Sequence, residues 1–132
     1  MKLEEQVCSL ELAKKLKELG LKQESIFGWL HFNNGESELV HFCDGVLIPP
    51  TNYAAFTVAE LGEMLPEEIW DEEDNGFDFL CTYPIGAHWA CSYRRYNGDS
   101  SWSSTYVEKA RSEADARAKM LIYLIEQGQI TV

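Results

Sequence analysis

The apolar positions of the chain follow two periodicities, helical and alternating, which change over at recognisable stop signals. "SLELAKKLKELG" sets Leu12, Leu16 and Leu19 on one helical stripe with lysines on the other side. Ser9 precedes the stripe and Gly20 follows it, so the spacing predicts a helix that stops at the glycine. "SIFGWLHF" and "ELVHFC" alternate instead, and the "NNGES" between them is a turn containing glycine, which predicts a hairpin. Alternation puts Leu30, Phe32, Val40 and Phe42 on the face expected to meet the core, and Trp29, His31, Leu39 and His41 on the other.

A second helix has the clearest start. In "FTVAEL", Thr57 is the expected cap, Glu60 the reciprocal acceptor three residues on, and Phe56 and Leu61 a hydrophobic staple. Pro66 marks its end. "DFLCTY" and "HWACSYRRY" then flank "PIGA" as a second hairpin, and Asn97-Gly98 predicts a tight two-residue turn into a third strand. That turn would set Tyr93 opposite Trp102 and Trp89 opposite Tyr106. "SEADARAKMLIYLIEQG" closes the pattern. Ser112 caps it, Asp115 stands at the third helical position, and Ala114, Ala118, Leu121 and Ile125 form a stripe widened by Met120 and Leu124. It reads as scaffold. The expected fold is α+β in the order α-β-β-α-β-β-β-α, a hairpin and a three-stranded antiparallel meander packed with three helices, in a single domain over 1–132. Whether the two β-units join into one sheet stays open.

Composition agrees with a packed domain. At 132 residues and 45% hydrophobic, with four tryptophans, six tyrosines and six phenylalanines, the chain has ample material for a core. "MKLEEQVCSL" has no apolar run, and the strongly apolar Met120–Ile125 is too short to cross a bilayer, so neither export nor a membrane role is expected. In a cytoplasmic protein, Cys8, Cys43, Cys81 and Cys91, with no C-x-x-C pair, read as reduced structural thiols.

Motifs for chemistry are absent. No nucleophile elbow and no glycine-rich phosphate loop occurs, so no catalytic residue and no cofactor is assigned. His31 and His41 share a hairpin face with Cys43 nearby, but they stand diagonally with no acid between them, and no metal site is assigned. "DEEDNGFDFLCT" imitates a calcium loop through Asp71, Glu73, Asn75 and Gly76. Thr82 holds the place of the bidentate glutamate, and a strand follows where a helix is required.

Charge alters the picture most. The net charge is −11, and no lysine or arginine occurs from Gln23 to Tyr93. Such a surface repels nucleic acid, so no direct nucleic-acid binding is expected. The candidate binding residues are Glu67, Glu68, Asp71, Glu72, Glu73, Asp74 and Asp78, an acidic face for a basic partner protein or a solubilising surface.

"EEQVCSLELAKKLKELGLKQES", "AAFTVAELGEMLP" and "EADARAKMLIYLIEQGQI" together resemble a family of small uncharacterised proteins encoded by bacteriophages, prophages and other mobile elements. The matching residues are helix caps and core stripes and carry no chemistry. The resemblance implies a bacterial host cytoplasm and a host or phage protein as partner, with imitation of DNA phosphates as one mode of docking. An enzyme with an unrecognised site built from His31, His41 or the Glu67–Asp78 cluster is the alternative, as is a structural or assembly protein of a phage.

Overall fold

In a computed structural model of the chain, residues 2–42, 52–73, 75–99 and 101–132 are described. They form helices α1 (Leu10–Glu18), α2 (Val58–Met64) and α3 (Glu113–Glu126) and two antiparallel sheets. The smaller sheet has the order β2-β1-β3, from β1 (Phe27–His31), β2 (Ser37–His41) and β3 (Tyr53–Ala54). The larger has the order β4-β5-β6-β7, from β4 (Glu68–Asp71), β5 (Gly76–Ile85), β6 (His88–Tyr96) and β7 (Trp102–Ala110). This is the expected α+β architecture, with two short strands added. Neither β3 nor β4 is long enough to show a period, and both are edge strands that depend on pairing with a longer neighbour.

The helix ends follow their caps. Thr57 and Glu60 close the reciprocal box, with Glu60 N–H donating to Thr57 Oγ1 at 3.1 Å and Thr57 N–H to Glu60 Oε1 at 2.9 Å. Ser112 Oγ accepts the Asp115 N–H at 3.1 Å. Asp115 in turn accepts the Ser9 N–H at 2.7 Å, which ties the start of α3 to the start of α1. Gly20 follows α1 at φ 93°, where a side chain would be strained.

The core lies between α3 and one face of the larger sheet. Ala114, Ala116, Ala118, Met120, Leu121, Ile122 and Leu124 are buried, as are Cys91 and Tyr93 beneath them. The alanines let the helix approach closely, while the large aliphatics fill the space toward its other end. Tyr93 is fully buried, and its hydroxyl donates to Pro66 O at 2.7 Å, which satisfies the one polar atom it brings inside.

Two expectations are corrected. Phe32 is exposed, and Trp29, from the face expected to be outward, packs against the core, as does Phe42 from the other face. The Trp29 indole N–H donates to Cys8 O at 2.9 Å. Both faces of this hairpin carry apolar residues, so alternation alone cannot decide which is covered.

Asn97-Gly98 does not make a tight two-residue turn. Asn97 lacks the positive φ that such a turn needs, and a five-residue loop closes through Asn97 N–H to Ser101 O at 3.0 Å. Asp99 accepts the Ser101 N–H at 3.2 Å and its hydroxyl as well, while Asn97 Nδ2 reaches Ser103 Oγ at 2.8 Å. These side-chain bonds stabilise the longer loop. The register moves accordingly: Tyr96 stands opposite Trp102, Tyr93 opposite Tyr106 and Trp89 opposite Ala110, with a bulge at Tyr93/Arg94. The bulge changes the phase of β7, so Tyr106 lies under α3 near Tyr123 while Trp102 stands on the uncovered face.

Candidate functional site

The acidic candidates divide by environment. Glu67, just before the edge strand β4, Glu68 on it, and Glu72 and Glu73 in its turn into β5 are all exposed. Asp78 is not on that surface. It is only 2% exposed, points toward the covered face of β5 and meets the Arg95 guanidinium at 3.0 Å. The Thr105 hydroxyl also donates to Asp78. Asp71, half-buried, lies 3.7 Å from the same guanidinium. These two aspartates are compensated by an internal cation, whereas the four glutamates have no ion-pair partner among the described residues. Asp74, Asp44 and Cys43 lie outside the described residues.

The β4–β5 turn and the Asn97–Ser101 loop sit at the same end of the sheet, because Asp71 pairs with Gly76 and Phe79 with Arg94. Exposed Asp99 therefore adds to this acidic end, and hydrogen bonds from the Ser101 hydroxyl and N–H hold its carboxyl below the usual range. His88, Lys109, Arg111 and Lys119 line a cavity at the other end.

The calcium-like segment is a hairpin. Asn75, at φ 50°, and Gly76 turn the chain straight into β5, and Thr82 lies mid-strand opposite Cys91, about 20 Å from the turn at the rise of a strand. Ligands so separated cannot close on one ion. The two histidines are separated too: Phe27 pairs with His41 and His31 with Ser37, which puts them about 13 Å apart along the strands. Among the described residues no group of three potential ligands surrounds a common point.

Cys8 and Cys91 are buried free thiols, and burial pushes each up to about 12. They are neutral at physiological pH and behave as small apolar side chains. No helix among the described residues is long and apolar enough to cross a membrane.

A surface that the sequence pattern did not single out covers the outer face of the larger sheet. On β5, Phe77, Phe79, Cys81, Tyr83 and Ile85 project to the side away from α3, while Asp78 and Leu80 project beneath the helix. Register adds Glu68 and Trp70 from β4, Arg94 and Tyr96 from β6, and Trp102 and Val107 from β7. Trp70, Phe77, Phe79, Ile85, Tyr96, Trp102 and Val107 are all exposed, from 42% at Ile85 to 55% at Trp102. Trp70 and Phe77 meet edge-on with centroids 5.0 Å apart, and Tyr96 and Trp102 lie tilted to each other at 5.1 Å. Arg94 lies between the rings of Tyr83 and Trp102, 5.1 Å from each centroid. Its Nε is buried and makes no hydrogen bond, as is true of Ser92 Oγ on the same strand face.

The signal for this face was present as apolar residues at every second position from Phe77 to Ile85, with Asp78 and Thr82 among the intervening ones. Read alone, alternation assigns the apolar side of a strand to the core. Here α3 covers the side bearing Asp78, Leu80 and Thr82, and the more apolar side is left open.

No family model, no curated protein and no solved structure matches the chain. The resemblance to phage-encoded proteins therefore gains nothing from these comparisons.

Proposed function

We propose that the protein is a non-enzymatic binding protein that docks a basic partner protein through the acidic end of its larger sheet. The observation that carries this reading is the position of Glu67, Glu72, Glu73 and Asp99. All are exposed, Glu67 just before the edge strand β4 and the others on two neighbouring loops at one end of the sheet, without an ion-pair partner among the described residues. Uncompensated like charges repel one another, and a cationic surface relieves that repulsion on contact. The same charge disfavours nucleic acid as the ligand.

The test is affinity capture from cells of the source organism with two baits, wild type and a Glu67→Gln/Glu72→Gln/Glu73→Gln variant. A basic partner should bind the wild type, release as salt rises toward about 0.5 M, and bind the variant more weakly, mainly through slower association. A partner held equally by both baits overturns the reading and leaves the glutamates as solubilising residues.

A further inference from the structure

The outer face of the larger sheet exposes more apolar surface than a monomer ordinarily carries. Its half-exposed residues present ~700 Å² per copy if each large side chain has ~200 Å² to bury, against ~300–600 Å² for the largest patch of a typical monomer. Pairing two such faces would remove about 1,400 Å², within the range of stable, specific interfaces. Tyrosine, tryptophan and arginine are the residues that most often dominate such contacts.

The charges on this face are arranged for a copy of itself. Glu68, Phe79 and Arg94 form one row across three adjacent strands, since Glu68 pairs with Phe79 and Phe79 with Arg94. Phe79 is the midpoint, with the acid and the base one strand spacing to either side. A two-fold axis along β5 would therefore place Phe79 on Phe79 of the second copy, Glu68 over its Arg94, and Arg94 over its Glu68. Neither side chain has an ion-pair partner within its own chain among the described residues, and Arg94 Nε is buried without an acceptor. We propose that the protein is a face-to-face homodimer, its two larger sheets packed about a dyad at Phe79 and locked by reciprocal Glu68–Arg94 pairs. The flanking Trp70, Tyr96 and Trp102 would pack around those pairs and exclude water from them. The turn that carries Glu72 and Glu73 would remain at the rim, so one dimer would offer two acidic ends.

The experiment is sedimentation equilibrium on the purified full chain, which needs no partner and so stands or falls apart from the acidic-docking reading. Wild type should sediment at twice the 15.1 kDa chain mass at ~100 µM. Glu68→Arg alone and Arg94→Glu alone should each weaken the dimer at least about tenfold, and the Glu68→Arg/Arg94→Glu double variant should recover most of that loss. Phe79→Gln, at a site already half exposed, should give a monomer with an unchanged circular dichroism spectrum. A monomeric wild type, a double reversal without rescue, or a Phe79→Gln dimer as tight as wild type would each overturn the proposal.

Discussion

Arg95 holds Asp78 at 3.0 Å within the covered side of the larger sheet, one element away from the exposed glutamates that adjoin Asp78 in sequence. The acidic run between Glu67 and Asp78 thus contains two populations with different physical roles. Asp78 neutralises a partly buried guanidinium, and the glutamates face water.

That division predicts opposite mutational outcomes. Asp78→Ala removes the nearest counter-ion of a guanidinium that is itself mostly buried, and breaking such a pair should cost about 3 kcal/mol of stability. Neutralising Glu67, Glu72 and Glu73 should change stability by no more than about 0.5 kcal/mol each, toward stabilisation, because repulsion is relieved. Urea denaturation of the two variants distinguishes them. Equal effects would place Asp78 among the surface acids.

Ser92 offers a gain. It has no exposed surface, and its hydroxyl lies without a hydrogen-bond partner on the outer strand face. Ser92→Ala removes an unsatisfied polar atom at little cost in packing and should raise stability by about 1 kcal/mol. A measured loss of stability would show that the hydroxyl is bonded in solution.

Alkaline pH should unfold the protein. Burial raises the Cys8 and Cys91 thiols from 9.0 to about 12 and raises the Tyr93 phenol as well. Above pH 9 the unfolded chain releases these thiol protons while the folded chain keeps them. The unfolded state then binds fewer protons, and stability falls with pH. The contribution is complete below pH 9 and is lost as pH rises toward 12. Melting temperatures recorded from pH 7 to pH 11 should fall most steeply above pH 9, and Cys91→Ala should flatten that slope. An unchanged slope in the variant would exclude the thiol as a source.

Divalent cations should have only a general effect. With Thr82 mid-strand and remote from Asp71 and Glu73, calcium and magnesium at millimolar concentration should raise the melting temperature slightly and about equally. A shift specific to calcium at micromolar concentration would contradict the hairpin geometry of Asp71–Gly76.

Much of the fold was determined locally and was legible in the sequence. The Thr57–Glu60 box, the Ser112 cap, the stop at Gly20 and the stripe of α3 are governed by bonds and contacts within a few residues, so sequence spacing fixes them. The turn at Asn97-Gly98 was not, because dipeptide preference competes with side-chain bonds from Asp99 and Asn97 and with the need to place Tyr106 under α3. The placement of Asp78 beside Arg95 also depends on a strand pairing between residues distant in sequence. Above all, period two says that β5 has an apolar side and a mixed side, and nothing local says which one α3 will cover. Only the tertiary structure decided that the mixed side is packed and that Phe77, Phe79 and Ile85 face outward, because burial is a property of what else the chain brings to that face.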